Sequence, residues 1–544
     1  LLSKMAFKSI DLKLKDCKYR VENPVYADPP IFKSAYDDIP FLNRLPSGKG
    51  FSFKMDPPYC DFKVVTSMCR TGYQNVLKKV LFSKRRSYIS PDYIFEGLMA
   101  YTKDTAPRLD CPIFDQVLRE ARNQFTTSLT PLNLKEASDG IPQNTSPGLP
   151  YINMYPGLKK GQVLDIAFPD ISKYWDDVKD RKPVVALPDC AAFARSHIGD
   201  ADKNKVRPVW AYPLSIVCAE ARFALPFINA LKEQKIGKNT AYGMEMMKGG
   251  MEWLDIQVKE AKYIDPGCKF LFTDYTAFDS SVPSWLIREC FKIVMDCFYK
   301  NLGPGDYQVF SKIVNYFINT PIRNSDGRRL RKLHGIPSGS MFTNIIGTMV
   351  NFIVSRYIIK KMCCSDTLFD LYFGDDACIA VRNSTLLNIK DLNAAANYYF
   401  GMTINTRKSY WTTSVDNIHF LGYYNFHGSP FKPTSELVCS LLYPQYWIDD
   451  WRYTLARTMG TLMAAGGNNK DIFLICQDLY VSATNHGVNF EDAHELITRS
   501  SRMSRHAYNM GVDPYEMKPL MFMYYEYSMP KSDCTKLRLG IKLV

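Results

Sequence analysis

The sequence predicts an α+β fold, on three observations. First, "TLFDLYFGDDACIAVR" reads as two short strands joined by a turn at Phe373 to Asp376, which makes them antiparallel. Second, a long helical pattern, "MFTNIIGTMVNFIVSRY", immediately precedes that hairpin and offers it an apolar face. Third, the chain beyond residue 426 is mostly helical, in "TSELVCSLLY", "WRYTLARTMGTLMAAG" and the single helical stretch "FEDAHELITRSSRMSRHAYNM". A hairpin beside a long helix, followed by a helical end of the chain, is what an α+β fold contains.

A chain of 544 residues builds several subdomains around more than one core, and 46% hydrophobic with 23% charged residues excludes long disorder. The net charge of +13 favours a polyanionic partner. Fifteen cysteines without a Cys-x-x-Cys pair read as reduced, buried thiols and not as a disulfide framework or a zinc site. "LLSKMAFKSIDLK" is interrupted by Lys and Asp and makes a poor signal peptide. The most apolar window, Met341 to Ile359, carries Asn344, Asn351, Ser355 and Arg356, so it reads as a buried helix and no membrane partner is expected.

In chain order, residues 1–120 are mixed, with Pro-rich loops and a basic run, Lys84-Arg85-Arg86, that reads as solvated. Residues 121–265 alternate short helical patterns with loops rich in Gly, Pro and Asn, among them "TSPGLPY" and the basic "ARSHIGDADKNKVRPVW". "CKFLFTDYTAFDSS" places Phe270, Phe272 and Asp274 on one parity, a strand ending in an acid, with Asp279 past a bend. "IRNSDGRRLRKLHG" is a hairpin turning at Ser325-Asp326-Gly327. Its return strand carries Arg328, Arg329, Arg331 and Lys332, and fits either a contact with a polyanion backbone or a solvated hairpin. Pro337-Ser338-Gly339-Ser340 is a loop without bulk, which lets a substrate backbone come close. The helix after it puts Phe342, Ile345, Ile346, Met349 and Ile353 on one face and Asn344, Thr348, Asn351 and Ser355 on the other. "STLLNIKDLNAAANYYFGMTINTRKS" is a helix stopped near Gly401, a strand and a basic turn. Arg499, Arg502 and Arg505 recur every three residues on one helical stripe, which reads as a solvated face.

If the segments around Asp274 and Asp375 are neighbours, their carboxylates meet at one end of a sheet and repel unless a cation lies between them. Hard oxygen donors select Mg²⁺ or Mn²⁺. A pair of such ions, ~3.5–4 Å apart, suits phosphoryl transfer. Gly-Asp-Asp by itself is also a common solvated turn, so the weight falls on its company.

Taken in this order, the segments resemble motifs of viral RNA-dependent RNA polymerases. "DYTAFD" is similar to motif A, "SGSMFTN" to motif B and "FGDD" to motif C, and the look is that of double-stranded RNA viruses of the partitivirus and picobirnavirus type. The resemblance covers roughly residues 140–425. It implies that Asp274 and Asp375 hold two Mg²⁺ or Mn²⁺ ions, with Asp376 as a further ligand. It implies that Asp279, Ser338 and Asn344 test the ribose 2′-hydroxyl, with Gly339 and Thr343 beside them in the nucleotide site. Arg195, Lys205 and Arg207, with Lys203, match the basic residues that clamp the triphosphate. Lys408 matches the acid that protonates pyrophosphate, with Arg407 as its adjacent rival. "IHFLGYYN" matches the strand that grips the growing 3′ end. Ser146, Pro147 and Gly148 match the template-binding loop.

The resemblance further implies a closed, cupped right-hand polymerase. Residues 1–120 would bridge fingers and thumb, 121–265 and 300–335 would form the fingers, 266–299 and 336–425 the palm, and 426–544 a helical thumb. The expected reaction is template-directed addition of NTPs to RNA, serving transcription and replication of a double-stranded RNA genome. Expected partners are single- and double-stranded RNA and a capsid protein, in the virion interior and host cytoplasm. A reverse transcriptase would share the acids, but Asp279 with Asn344 suits ribonucleotides. An inactive RNA-binding relative would have no need of a repelling acid cluster.

Overall fold

The structure is a computed structural model that describes residues 39–53, 59–204 and 206–524. Its centre is a four-stranded antiparallel sheet in the order Thr367–Phe373, Asp376–Val381, Lys269–Phe272, Tyr410–Thr412. Both faces are covered. Leu371, Cys378, Ala380, Phe270 and Phe272 pack against Met251, Leu254 and Val258 of the helix Gly250–Ile264. The opposite parity, Tyr372, Ala377, Ile379, Val381 and Leu271, joins the largest core with the helix Thr343–Cys363. Strands buried on both faces need apolar residues at every position, which is why "CIAV" is continuous and not alternating.

The Thr343–Cys363 helix departs from its expected one-sided burial. Thr348, Asn351 and Ser355 are as deeply buried as Ile345 and Ile353. Its polar stripe faces protein, so each group needs a partner there.

A second, five-stranded sheet runs Arg44–Leu45, Arg329–Arg331, Pro321–Arg323, Cys190–Arg195, Arg207–Ala211, with the third and fourth strands parallel. Among the described residues after 433 there are five α-helices, from Thr434–Leu442 to Ser501–Asn509. They share a core with two early helices, Phe62–Arg70 and Gln74–Ser83. Buried Asp61 ties the two parts, accepting from Thr454 Oγ1 at 2.9 Å and pairing with Arg457. The helices Pro91–Met99 and Pro112–Phe125 belong instead to the largest core.

Three expectations are corrected. "FEDAHELITRSSRMSRHAYNM" is two helices, Phe490–Arg499 and Ser501–Asn509, because Ser500 adopts extended backbone and caps the second by accepting from Met503 N–H. The three arginines therefore do not share one stripe. Lys84–Arg86 is not a solvated run but a strand paired with Ile198–Asp200, and Arg86 donates to the carbonyls of Tyr443 and Ser196. Among the described residues, the helix of membrane-spanning length and hydropathy is Leu214–Glu233, not the 341–359 window, and most of it is buried in the protein. The described cysteines are free thiols, most of them buried.

Candidate active site

Residues 373–376 close the hairpin through the pair Phe373↔Asp376. Gly374 takes φ +61°, at the first central position of a two-residue turn, where a Cβ would be strained. The long helix holds three backbone groups of the turn. Gly374 N–H donates to Thr348 Oγ1 at 2.9 Å, and Asn351 Nδ2 donates to the carbonyls of Gly374 (3.0 Å) and Asp376 (3.2 Å). Ser355 Oγ in turn donates to Asn351 Oδ1 at 2.9 Å, fixing the amide's orientation. The polar stripe thus exists to satisfy a turn whose own side chains are left open: Asp375 and Asp376 are exposed.

Asp274 reaches the same end of the sheet. Strand register pairs Ile379 with Leu271, and continued by three residues it sets Asp376 opposite Asp274. The Asp274 backbone is pinned on both sides by the turn after the strand Thr403–Ile404. Its N–H donates to Ser409 Oγ at 2.9 Å and its carbonyl accepts from Asn405 N–H at 2.7 Å. Asn405 Oδ1 also accepts from Arg407 and Lys408 N–H, so exposed Lys408 is carried on a turn locked to Asp274. Asn405 and Ser409 were not singled out from sequence; their only signal is the turn-forming character of "INTRKS".

Desolvation by the surrounding protein, and then the charges of Asp375 and Asp274, push the Asp376 carboxyl up to about 6, although part of its surface stays open. Asp279 is pushed up to about 7, by burial first and Asp375 second, against the opposing charge of Arg207. Asp279 lies in the short helix Phe278–Ser281, entered through Ala277 in left-handed backbone (φ 53°), a conformation unfavourable to a residue with a Cβ. The Asp279 carbonyl accepts from Ile336 N–H at 2.7 Å, joining it to the 337–340 loop.

Arg207 and Arg195 are exposed and sit directly opposite each other on paired strands. Like charges facing across a ladder are destabilising, and an anion between them removes the cost. Lys205 lies outside the described residues. Asn344 Nδ2 donates to Tyr242 Oη at 3.0 Å, a partner a hundred residues away that nothing in the sequence marks. Ser338 Oγ accepts from Trp210 N–H at 3.0 Å, and a Cβ at Gly339 would collide with the Trp210 carbonyl. Thr343 Oγ1 donates to the carbonyls of Pro337 (2.5 Å) and Ser340 (2.8 Å), closing the loop on itself. Pro147 and Gly148 are buried, and the Pro147 carbonyl accepts from Leu214 N–H at 3.0 Å; Ser146 keeps part of its surface open.

The expected basic hairpin is present, and all of its basic side chains except the exposed Arg331 are engaged within the fold. Arg323 and Arg329 both bind buried Asp189, and Arg328 pairs with Asp92 and Asp326. Lys332 is fully buried and donates to the carbonyls of Phe317, Ile318 and Gly335. Asp274, Asp375 and Asp376, by contrast, form no ion pair among the described residues. Nor do any three His, Cys, Asp or Glu side chains among the described residues stand close enough to enclose an ion. The three carboxylates share a field without forming a closed shell. Their donor set is all oxygen and open to the cleft, which suits a hard divalent cation that keeps water and phosphate ligands.

A double-covered antiparallel sheet thus ends in three acids that form no ion pair among the described residues, and the charge of Arg207 acts on the neighbouring Asp279. Residues 83–436 match the family described as viral RNA-dependent RNA polymerase, and the chain belongs to that family. It is similar to the RNA-directed RNA polymerase of Cryptosporidium parvum virus 1 (strain KSU-1), 26% identical over 299 residues, covering 54% of this chain and 53% of that protein. It is 26% identical over 337 residues to the RNA-directed RNA polymerase of Atkinsonella hypoxylon virus (isolate 2H), covering 53% and 49%. The chain thus spans about half the length of the curated relatives it matches. Among solved structures, the RNA-dependent RNA polymerase of a human picobirnavirus aligns with TM-score 0.62 at 12% identity, over 89% of this chain and 93% of that one. The Sicinivirus polymerase aligns with TM-score 0.64 at 15% identity, over 86% and 99%. The fold is the right-hand polymerase fold.

Proposed function

We propose that this protein is a template-directed RNA polymerase that adds ribonucleotides to an RNA 3′-hydroxyl. The observation that carries the reading is the acid turn: Asp375 and Asp376 are exposed and form no ion pair among the described residues, on a turn whose Gly374 N–H, Gly374 carbonyl and Asp376 carbonyl are bonded by Thr348 and Asn351. A fold that holds repelling charges in place does so for a cation to be brought to them.

Asp274, Asp375 and Asp376 would hold two Mg²⁺ or Mn²⁺ ions, which when bound supply a lowered pKa at the attacking hydroxyl and charge for the pyrophosphate leaving group. The chain's own residues do the rest. Arg207 and Arg195 receive the triphosphate, with Lys205. Asp279 and Asn344 meet the ribose 2′-hydroxyl, which both donates and accepts, and Ser338, Gly339 and Thr343 shape the loop beside it. Lys408, on the turn locked to Asp274, gives a proton to departing pyrophosphate. Ser146, with the buried Pro147 and Gly148 holding its loop, borders the template path.

The cupped form is closed by residues 84–88, which bond to the 196–204 loop on one side and to Tyr443 on the other. On this reading fingers come from 121–265 and 300–335, palm from 266–299 and 336–425, and thumb from 426–544. The setting is a double-stranded RNA virus, with a capsid protein as partner, in virion and host cytoplasm.

The test is incorporation of labelled NTPs and dNTPs on a single-stranded RNA template, with Mg²⁺ or Mn²⁺ and after chelation. Template-length RNA from NTPs alone, lost on chelation, is expected. Equal use of dNTPs would make the enzyme a reverse transcriptase, and RNA binding without turnover would leave only a binding protein.

A further inference from the structure

Glu220 is a charged side chain with no exposed surface, on the helix Leu214–Glu233, outside every motif singled out above. Its two oxygens are both engaged by the 337–341 loop: one accepts from Ser340 Oγ at 2.7 Å, the other from Met341 N–H at 2.8 Å. Ser340 Oγ in turn accepts from Phe342 N–H at 3.0 Å. The carboxylate therefore sits just before the N-terminus of the Thr343–Cys363 helix, where backbone N–H groups and the helix dipole favour negative charge. Among the described residues it makes no ion pair, and burial pushes its pKa up to about 8, with Lys160 nearby opposing the shift.

Its own segment is pressed between two loops. Trp210 N–H holds Ser338, and the Trp210 carbonyl leaves Gly339 no room for a Cβ. Four residues on, Leu214 N–H holds the Pro147 carbonyl, and Gly148 packs against the Tyr212 carbonyl. Lys160, buried and next in the field of Glu220, donates its N–H to the Thr145 carbonyl at 3.0 Å. The segment 210–220 is thus the shared wall of the 145–148 loop and the 337–341 loop.

We infer that Glu220 is a positioning residue for nucleotide selection, which locks the 337–341 loop and the start of the Asn344-bearing helix to the wall that also carries the 145–148 loop. The inference rests on the polymerase reading above. Glu220 touches no substrate; it acts through Ser340 and Met341 on where Ser338 and Asn344 stand.

The experiment uses the full chain. KM and kcat for an NTP, and the NTP:dNTP ratio of kcat/KM, are measured on one RNA template for the parent, Glu220→Ala, Glu220→Gln, Ser340→Ala and the Glu220→Ala/Ser340→Ala pair. Removing the acceptor of two buried bonds is expected to raise KM, or narrow the NTP:dNTP ratio, by about tenfold or more in Glu220→Ala. Glu220→Gln retains one acceptor and falls between, and the pair loses less than the sum of its members. A merely destabilised protein loses active fraction, which scales kcat and moves neither KM nor the ratio. Parent values of both in Glu220→Ala overturn the inference. If that variant does not fold, parent values in both Glu220→Gln and Ser340→Ala overturn it equally. A parent that extends no RNA overturns the polymerase reading itself, a different result from an active parent with indifferent variants.

Discussion

Two hairpins in this protein carry dense charge at or beside their turns, and they treat it in opposite ways. The hairpin at Thr367–Val381 leaves its turn acids, Asp375 and Asp376, without cationic partners among the described residues, and holds the turn backbone through Thr348 and Asn351. The hairpin at Pro321–Arg331 pairs Arg323, Arg328 and Arg329 with Asp189, Asp92 and Asp326 and buries Lys332 against three carbonyls. Charge density alone therefore marks nothing. Charge that the fold holds rigidly and declines to neutralise marks a place where something charged is brought in.

The comparison breaks first at Asp375. Asp375→Asn removes one charge without changing shape and is expected to cut NTP incorporation at least about 1,000-fold while RNA affinity stays within about twofold of the parent's. Equal incorporation by parent and variant, measured on the same template, would move the active site elsewhere.

Asp189→Ala tests the other hairpin. It strands Arg323 and Arg329 beside a vacated buried site, which should cost about 3 kcal/mol of stability. Thermal or urea unfolding reads this directly. An unchanged melting temperature would mean that the arginines were free for other work.

Asn351→Ala sharpens the first hairpin further. Two carbonyls of the acid turn lose their donor, and the expected loss is about 10- to 100-fold in the single-turnover rate, with RNA binding intact. A rate matching the parent's would show that the turn holds its shape without the helix.

Arg331→Gln is the smallest. Its side chain is exposed at the end of the basic hairpin, and if that hairpin is structural, RNA affinity by anisotropy shifts less than about twofold. A tenfold weakening with a shallower salt dependence would return the hairpin to the RNA path.

What the sequence by itself determined was local. The parity of Phe270, Phe272 and Asp274, the turn at Gly374, the helix stop at Gly401 and the bulk-free loop at 337–340 follow from backbone geometry and side-chain period, which act over a few residues. The order of the segments carried the family resemblance. Whether a given charge is spent or spare is not local. The arginines of 323–329 are answered by Asp189, and the polar stripe of the Thr343–Cys363 helix by the turn at 374–376. Asn344 finds Tyr242, and Ser340 finds Glu220. Tertiary structure alone decided these pairings, because burial makes every polar group find a partner and only the packed chain fixes which partners are within reach.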